Sequence, residues 1–363
     1  MPAIECKNCV LNTDVCKLDF DNNGICNYCN FYFNEIKPLL DKYQKNGELF
    51  LIIDKIKKER KRNYDCLIGL SGGVDSSYVA YLVNYYGLKP LAFHVDNGWN
   101  SEIAVRNIKN IVNKFKLDFY TYVIDWEEFK DLQLSFLKAS VIDIELLTDH
   151  AITAVAYHLM KKEKIKYFIS GSNYATEAIM PEGWSYYKWD SKNIKAIHKR
   201  FGRLPIKTFP MYGFLDKIKS RTLYKVIRLL DYVNYNKFEA MEKLKNEIGW
   251  EYYGGKHYES NFTKFYQAFI LPQKFKVDKR YAHLSTLICS GQITKDEALI
   301  ELSKPLYDPH ELQREIEYFL KKFNLSREEF DKIMSEKPKK HNDYPNGIKL
   351  NNFLKKVSSV LGL

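Results

Sequence analysis

The stretch Leu67–Ser77, which reads LIGLSGGVDSS, constrains the fold more than any other part of this chain. Its apolar beginning, Leu67–Leu70, predicts the end of a buried strand, and the residues near Tyr78–Tyr86 follow a helical pattern. Gly72 and Gly73 allow a sharp turn between the two, because a residue without Cβ lets backbone N–H groups approach a ligand closely. The helix points its positive end at the same place. The stretch therefore predicts an anion-binding loop, with an ordinary glycine turn as the alternative.

The side chains of this loop add hydroxyl donors and one carboxylate. The loop is not a Walker A loop, because it lacks the lysine of the G-x-x-x-x-G-K-S/T pattern. Asp75 stands where a carboxylate could hold a Mg²⁺ ion that bridges phosphate oxygens. The residues predicted to bind the anion are Leu70, Ser71, Gly72, Gly73, Val74, Asp75, Ser76 and Ser77.

Strand and helix patterns alternate from Tyr64 onward, which predicts an α/β fold with a parallel sheet covered on both faces. Ligands bind such sheets at the carboxyl ends of the strands. No strand is expected beyond about Pro210, so the C-terminal region is predicted to be helical. Predicted strands are Asp65–Leu70, Lys89–Val95, Asp118–Ile124 and Tyr167–Gly171. Predicted helices lie near Phe31–Arg62, Tyr78–Tyr86, Glu102–Phe115, Trp126–Ala139, Leu146–Lys161, Lys217–Leu230, Asn236–Ile248, Thr294–Glu301 and Glu311–Phe323.

The cysteines are unevenly placed, since five of the seven lie within the first 29 residues. Two CxxC pairs are a pattern typical of a structural zinc site, with an iron–sulfur cluster as the alternative. Cys16 is expected to be a bystander, and Cys66 and Cys289 are predicted to be packing residues. The predicted metal ligands are Cys6, Cys9, Cys26 and Cys29.

Composition adds broad limits. A chain of 363 residues can hold one large domain or two smaller ones, and its net charge of +11 suits polyanionic partners or merely reflects a lysine-rich proteome. No apolar run is long enough to span a membrane, and the first residues do not resemble a signal peptide, so a cytoplasmic location without membrane contact is expected. The expected division is a zinc ribbon over 1–32, a linker helix over 33–63, the loop-bearing domain over 64–210, and a mainly helical region over 211–363 that contributes lysine and arginine to the site.

The loop resembles the pyrophosphate loop (PP-loop), SGGxDS, of ATP pyrophosphatases such as GMP synthetase, asparagine synthetase and the tRNA thiolases. This resemblance implies an adenine nucleotide alpha-hydrolase-like fold, with ATP and Mg²⁺ as cofactors and cleavage of ATP between its α and β phosphates. Around the adenine and phosphates it implies His94, Val95, Asp96 and Gly171, at the ends of predicted strands.

Along nearly its whole length the chain is similar to the bacterial N-acetyl sugar amidotransferases. These enzymes turn the acetamido group of a surface sugar, of the lipopolysaccharide, O-antigen or nonulosonic acid kind, into an acetamidino group. Leu11 and Asn12 depart from the Met-Pro expected after the second cysteine. The matching stretches are Cys6–Val10, Gly24–Cys29, Ser71–Ser77, His94–Ile103, Thr148–Ile152, Tyr253–Ser260, Phe275–Arg280, Leu284–Ser285 and Ser290–Gln292.

The chemistry of this reaction can be argued independently. An amide carbon is a poor electrophile, so its oxygen must first become a leaving group. Attack of that oxygen on the α-phosphate gives an O-adenylyl imidate and pyrophosphate, and ammonia then displaces AMP to leave an amidine. Departure of pyrophosphate needs positive charge. Lys256, Lys279 and Arg280 are the candidates, although each could be an ordinary surface cation.

Asp149 and His150 begin a predicted helix, where His150 could accept a proton from ammonium or from the tetrahedral intermediate. A capping pair is the alternative. An aromatic and basic stretch from Trp184 to Arg200 is predicted to contact the sugar, and a packing lid is the alternative. The catalytic candidates are therefore Asp75, Asp149, His150, Lys256, Lys279 and Arg280. The substrate candidates are Trp99, Asn100, Asn173, Lys188, Trp189, His198, Arg200, His257 and Glu259.

No ammonia-producing site is visible, because Cys66 lies mid-strand and Met1-Pro2 precludes an N-terminal cysteine. A separate glutaminase subunit, with or without a cyclase-like accessory subunit, is therefore the expected partner, beside the N-acetylated sugar substrate. A tRNA thiolase and a non-enzymatic zinc-ribbon RNA binder are the rival functions. The thiolase is disfavoured because thiolases carry further catalytic cysteines, and here none lies between Cys66 and Cys289. The RNA binder is disfavoured because Asp75 and the candidate lysines are present. Nucleic acid is accordingly not the expected partner.

Overall fold

The computed structural model of the protein describes residues 3–45 and 47–352. Its centre is a sheet of five strands in the order β3-β2-β1-β4-β5, and every neighbouring pair is parallel. The predicted parallel-sheet α/β fold is thereby confirmed. The strands are β1 Cys66–Gly69, β2 Pro90–Asp96, β3 Asp118–Val123, β4 Tyr167–Ser170 and β5 Lys225–Arg228.

Helices cover both faces of the sheet and build most of the C-terminal region. They are α1 Asn27–Phe31, α2 Lys37–Lys45, α3 Glu48–Lys58, α4 Val74–Tyr85, α5 Glu102–Phe115, α6 Trp126–Ala139, α7 Leu146–Glu163, α8 Tyr174–Glu177, α9 Ser191–Phe201, α10 Phe214–Leu223, α11 Lys237–Ile248, α12 Asn261–Phe265, α13 Arg280–Cys289, α14 Lys295–Ser303, α15 Pro309–Phe323 and α16 Arg327–Ser335. Two π-helical segments, Tyr32–Ile36 and Tyr266–Phe275, and two short 3₁₀ helices, Leu229–Tyr232 and His341–Asp343, complete the described part. Within it, no helix is both long and apolar enough to cross a membrane.

The two faces of the sheet contribute to two separate apolar cores, because successive side chains of a strand point to opposite sides. On β1, Leu67 packs into one core and Ile68 into the other. On β2, Phe93 joins the core of Leu67, whereas Ala92 joins that of Ile68. Burial on both faces explains why the sequences of the central strands are continuous apolar runs. Packing on both faces also holds the carboxyl ends of these strands in place.

Two sequence-based expectations were wrong. Residues predicted as one helix, Lys217–Leu230, form α10 followed by β5, which pairs in parallel with β4 through Phe168 and Val226. The β-branched pair at Val226 and Ile227 favours a strand, so strands do continue beyond Pro210. The long helix expected over Phe31–Arg62 is also interrupted, because Gly47 has a φ of 64° and α3 begins after it.

Candidate active site and metal centre

The predicted anion-binding loop connects β1 to α4, and its first glycine is required by a close approach. Gly72 has a φ of 81°, and a Cβ there would lie 2.5 Å from the backbone oxygen of Ala104 in the first turn of α5. The Gly72 carbonyl accepts hydrogen bonds from Trp250 Nε1 (3.0 Å) and Asn107 Nδ2 (3.2 Å). The path of the loop is therefore set by α5 and by the C-terminal region together.

Inside the loop, backbone N–H groups are bonded to hydroxyl groups. Ser71 Oγ accepts from the Gly73 N–H at 3.2 Å and lies 3.1 Å from Ser76 Oγ. The Val74 N–H, at the start of α4, donates to the hydroxyl of Tyr253 at 3.2 Å. The buried hydroxyl of Ser77 has no hydrogen-bond partner. Phosphate oxygens accept the same hydrogen bonds as these hydroxyls, so the loop is a cradle that an anion can occupy.

Asp75 lies in the first turn of α4 and faces charged groups from the C-terminal region. Its Oδ1 accepts a 2.5 Å hydrogen bond from the hydroxyl of Tyr235. Burial raises the pKa of Asp75, and Glu177 raises it further, while Lys256 opposes both. A half-buried carboxylate with spare acceptor capacity is a suitable Mg²⁺ ligand, so this role of Asp75 stays a prediction.

Around Asp75 lies an ionic group that we call the loop-side cluster: Asp75, Glu177, Lys237, Lys256, His257 and Glu259. Lys256 Nζ lies 3.3 Å from Glu177 Oε1 and donates to the carbonyl of Thr176 at 2.8 Å. Burial lowers the pKa of Lys237, and the charge of Lys256 lowers it further. Both lysines are half-buried, and an anion bound at the loop would stabilise both cations.

His257 lies between two carboxylates of this cluster. It is 3.7 Å from Glu177 and 3.7 Å from Glu259, with a φ of 63° that places its backbone in the left-handed region. Burial lowers the pKa of His257, but the neighbouring Glu259 outweighs burial, so the pKa is raised. A Cβ at Gly73 would lie 3.1 Å from Glu259 Oε1. The segment Tyr253–Ser260 therefore forms a wall of the loop cradle.

A second ionic group, which we call the acceptor-side cluster, consists of Asp143, Glu145, Asp149, Lys188 and Lys279. Lys188 Nζ lies 2.8 Å from Asp143 Oδ2 and 3.1 Å from Asp149 Oδ2, and Lys279 Nζ lies 2.6 Å from Glu145 Oε2. Burial lowers the pKa of Lys188, but Asp143 and Asp149 outweigh burial, so its pKa is raised. Partial burial raises the pKa of Asp149, and the carboxylates of Asp143 and Glu145 raise it further.

His283 on α13 links the two clusters. Its ring centre lies 5.8 Å from that of His257, and burial lowers its pKa strongly. The charges of Lys256 and Lys279, one from each cluster, lower this pKa further. The backbone N–H of His283 also donates to the carbonyl of Lys279 at 3.2 Å, so the loop-side and acceptor-side clusters are neighbours. We call the region where they meet the crevice.

His150 has a different environment from the one its predicted role requires. Its ring is fully buried, Nε2 accepts from the N–H of Tyr212 at 2.9 Å, and Nδ1 lies 3.0 Å from the carbonyl of Lys188. The proton is therefore assigned to Nδ1, which donates to that carbonyl. Burial lowers the pKa of His150 to about 4. With both nitrogens engaged, His150 orients the backbone of Lys188 and does not fit the predicted role of proton acceptor.

Arg280 also points away from the predicted role. Its Nε and Nη2 donate to the carboxylate of Asp278, and its Nη1 donates to the carbonyls of Glu301 and Lys304. These carbonyls lie at the C-terminal end of α14. Arg280 therefore stabilises a helix end, where a cation is favourable, and leaves Lys256 and Lys279 as the predicted cations that face the crevice.

The end of β2 is ordered by polar contacts that involve three predicted residues. His94 Nδ1 donates to the carbonyl of Leu70 at 2.7 Å, while His94 Nε2 accepts from Asn100 Nδ2 at 3.0 Å. Asp96 Oδ1 accepts from the same amide group at 2.9 Å. Burial lowers the pKa of His94, which favours the neutral ring. Val95 is buried beside it, and Gly171 at the end of β4 lies so close that a Cβ there would be 3.1 Å from the Ser76 nitrogen.

Four predicted substrate residues have structural partners instead. Trp99 is buried in an aromatic core, and its Nε1 donates to Gln133 at 2.8 Å. His198 contacts Asp131 at 2.9 Å, and Arg200 stacks on the rings of Phe201 and Tyr344. Asn173 caps α8 through the N–H of Thr176. Two other predicted residues lie at the acceptor-side cluster. Lys188 is a member of it. Trp189 Nε1 donates to the hydroxyl of Thr153, which is one helical turn after Asp149 on α7.

Several residues in or beside the two clusters were not predicted from the sequence. Cluster members among them are Asp143, Glu145, Glu177 and Lys237, and neighbouring residues are Tyr235, Tyr253 and His283. No local motif marks Glu177 or Lys237, which tertiary packing brings to Asp75. Tyr253 could have been predicted, because it is the first residue of the stretch Tyr253–Ser260 that matches the amidotransferases.

The N-terminal cysteines form a compact group suited to a metal ion. The four sulfur atoms of Cys6, Cys9, Cys26 and Cys29 lie within 4.8 Å of one another, and all four residues are buried. The pairs Cys6–Cys29 and Cys9–Cys26 are separated by 3.9 and 3.8 Å. A tetrahedral zinc site with Zn–S bonds of about 2.3 Å requires sulfur separations of about 3.8 Å. The group fits zinc, and its thiolate set also suits an iron–sulfur cluster.

Substitution of one of these ligands tests the metal site. We expect Cys6→Ser to lose bound metal and to destabilise the ribbon, because folding of such a short polar segment depends on the metal. Cys16→Ser, a partly buried neighbour outside the four-sulfur group, should keep the metal. Metal analysis and the visible absorption spectrum of the purified proteins measure the effect and separate zinc from iron–sulfur. Equal metal content in both variants would contradict the assignment.

Comparison with known proteins gives partial matches. Residues 259–357 match the family model described as LPS biosynthesis protein WbpG-like, C-terminal domain. An uncharacterized protein of Methanocaldococcus jannaschii is 23% identical over 322 residues, which cover 86% of this chain and 98% of that protein. Similar solved structures include NMN synthetase from Francisella tularensis (15% identity, 81% and 95% of the two chains, TM-score 0.34). The U34-tRNA thiolase from Methanococcus maripaludis with its 4Fe–4S cluster gives 15% identity, 86% and 96% coverage, and a TM-score of 0.35.

The matched C-terminal segment is the part of the chain that supplies Glu259, Lys279 and His283 to the crevice. The chain is thus a parallel-sheet α/β protein whose C-terminal region is similar to that of an LPS biosynthesis protein.

Proposed function

We propose that this protein is a cytoplasmic, ATP-dependent amidotransferase that converts the acetamido group of an N-acetylated sugar into an acetamidino group, releasing AMP and pyrophosphate. The observation that carries the proposal is the contact of the C-terminal region with the loop, where Tyr235 donates to Asp75 at 2.5 Å. Lys256, from the same region, lies 3.3 Å from Glu177 in the loop-side cluster. The match of residues 259–357 to an LPS biosynthesis domain supports a sugar of surface polysaccharide as substrate.

The nucleotide would lie along the loop. The N–H groups of Gly73 and Val74 would donate to phosphate oxygens in place of the hydroxyls that they contact in the free protein. Asp75 would hold a Mg²⁺ ion, which supplies positive charge to the phosphate oxygens when bound. Lys256 and Lys237 would stabilise the departing pyrophosphate, because its negative charge relieves the repulsion between these two half-buried ammonium groups.

The sugar would lie at the acceptor-side cluster. Carboxylates accept hydrogen bonds from sugar hydroxyls, and Asp149 is half-exposed there. Lys188, held between Asp143 and Asp149, presents its ammonium group at the same place and suits an acidic or nucleotide-linked sugar. The adjacency of the two clusters through His283 would bring the acetamido oxygen toward the α-phosphate.

Ammonia would come from a separate glutaminase subunit, with or without a cyclase-like accessory subunit. Cys66 is buried in β1, where burial raises its thiol pKa, and Cys289 lies 3.5 Å from Cys29 of the metal group. Neither is placed as a nucleophile, since thiolates attack from accessible sites that lower the thiol pKa. This supports a glutaminase on another chain.

The nitrogen source and the products test this proposal together. Incubated with ATP, Mg²⁺ and a panel of neutral and acidic acetamido sugars, the protein alone should form AMP, pyrophosphate and an amidino sugar with ammonium but not with glutamine. Turnover should rise from pH 7 toward pH 9, because only un-ionised ammonia attacks. Mass spectrometry and nucleotide chromatography measure the products. Formation of ADP, efficient use of glutamine, or thiolation of added tRNA would contradict the proposal.

A further inference from the structure

One segment, Lys279–Gln292, reaches from the crevice to the metal group. We call it the connecting segment; it contains α13, whose ten residues span about 15 Å. At one end Lys279 pairs with Glu145 in the acceptor-side cluster. At the other end Cys289 Sγ lies 3.5 Å from the sulfur of the metal ligand Cys29. The amide group of Asn8 contacts both of these sulfur atoms, at 3.5 and 3.4 Å.

The last residue of the connecting segment, Gln292, bonds to three backbone groups at or near the loop-side cluster. Gln292 Oε1 accepts from the N–H of Lys237 at 2.8 Å, and its Nε2 lies 3.3 Å from the carbonyls of Tyr235 and Ala175. Tyr235 in turn donates to Asp75 at 2.5 Å. Ala175 belongs to α8, the short helix that carries Glu177. Gln292 thus fixes the backbone at Tyr235 and Lys237 and in α8.

α8 is held against the connecting segment by a second contact. The Thr286 hydroxyl accepts from the N–H of Ile179, just after α8, at 3.0 Å. Beyond the segment, Lys295 on α14 donates to the carbonyl of the metal ligand Cys6 at 2.7 Å. Gln292 therefore lies between two residues that contact metal ligands, Cys289 and Lys295. An ordered metal group would restrain the turn that contains Gln292.

We propose that Gln292 is a positioning residue for Asp75 and Lys237, and that metal in the cysteine group supports nucleotide binding through the connecting segment. The ribbon would then act as an internal brace of the site. The physical basis is a continuous series of hydrogen-bonded and packed groups from Cys29 through α13 to Tyr235. The part concerning nucleotide affinity rests on the proposed function, whereas the bracing of Tyr235 and Lys237 does not.

Substitution of Gln292 tests the positioning role. Gln292→Met keeps the length of the side chain but removes all three contacts, while Gln292→Glu keeps an acceptor for the Lys237 N–H and loses the two donors. Gln313→Met is the control, since exposed Gln313 bonds only to Glu317 on its own helix among the contacts described. In Gln292→Glu the second carboxylate oxygen would also face the carbonyls of Tyr235 and Ala175, which repel it. Amide hydrogen exchange of the peptides covering 71–77 and 235–237 should therefore accelerate in both variants and remain unchanged in the control.

Nucleotide affinity is the second measurement. Titration calorimetry with Mg²⁺ and a non-hydrolysable ATP analogue should show about tenfold weaker binding for Gln292→Met, the usual range of coupling between linked sites. If Gln292→Met fails to fold, the comparison of Gln292→Glu with wild type decides. Wild-type exchange rates at 71–77 and 235–237 in the variants would overturn the positioning role. Absence of analogue binding by the wild type would instead contradict the proposed function, and the exchange result would still stand.

Removal of the metal tests the brace itself. Chelation of the full-length protein should accelerate exchange at 280–292 and 235–237 as well as in the ribbon, and should weaken binding of the analogue as Gln292→Met does. Restoring zinc alone should reverse both changes. Acceleration confined to residues 3–31, with analogue affinity unchanged, would overturn the link between the metal group and the loop.

Discussion

Asp75→Asn should reduce AMP formation by at least about a hundredfold, the scale on which loss of one electrostatic contact to the reacting groups lowers the rate. The asparagine amide oxygen can still accept the hydrogen bond from Tyr235, so the local structure should persist. What is lost is the negative charge that would hold Mg²⁺ against the phosphates. Chromatography of the nucleotides formed in the presence of sugar and ammonium measures the loss. Asp54→Asn, an exposed residue of α3, is the matched control.

The same substitution should stabilise the free protein at neutral pH. Burial raises the pKa of Asp75 above its unfolded value, so the ionised carboxylate destabilises the fold above that raised pKa, and this cost disappears as pH falls below the unfolded value. Asp75→Asn should therefore unfold at a higher denaturant concentration than wild type at pH 7, and the difference should shrink toward pH 4. Full AMP formation, or destabilisation at pH 7, would contradict the placement of Asp75 in a buried metal-binding position.

Gly72→Ala should abolish nucleotide binding and destabilise the fold. A Cβ at this position would lie 2.5 Å from the Ala104 oxygen, so either the loop or the start of α5 must move. We expect a loss of about 1–3 kcal/mol in the free energy of unfolding, from steric overlap and from an alanine in the left-handed region. Displacement of the loop would also misplace the Gly73 and Val74 N–H groups.

Gly87→Ala separates these causes. Gly87 also has a positive φ, 64°, but a Cβ there would meet only Lys57 Nζ at an ordinary 3.6 Å. Its cost should be the backbone strain alone, with nucleotide affinity unchanged. Denaturant unfolding and calorimetric titration with the ATP analogue measure the two variants. Wild-type affinity in Gly72→Ala would show that the loop does not form the nucleotide site.

The sequence was most informative where structure is set by neighbouring residues. The apolar run before Ser71 and the glycines after it identified β1, the loop and the start of α4, because strand, turn and helix here follow local rules. β5 was missed because its four residues follow an amphipathic helix without a turn signal. Short apolar segments of this kind do not distinguish helix from strand by periodicity.

The site was only partly predictable for a different reason. Residue type indicated His150 and Arg280 as functional, but both ring nitrogens of His150 bond to backbone groups that tertiary packing supplies. Arg280 bonds to the carboxylate of nearby Asp278 and to two carbonyls at the end of α14. Conversely, Glu177 and Lys237 carry no local motif, and they acquire their importance from proximity to Asp75. The burial of Trp99 among aromatic side chains could not be predicted either, because the residue follows a polar segment at the end of a strand.

Transfer of oxygen from the sugar to AMP tests the central proposal most directly. An acetamido sugar labelled with ¹⁸O in its carbonyl group is incubated with the protein, Mg²⁺, ATP and ammonium, and the AMP is analysed by mass spectrometry. If the acetamido oxygen attacks the α-phosphate held by the loop, the label must appear in the phosphate of AMP, and the amidino sugar must have lost it. Unlabelled AMP, or a sugar that retains its labelled oxygen while ATP is consumed, would contradict the proposed reaction.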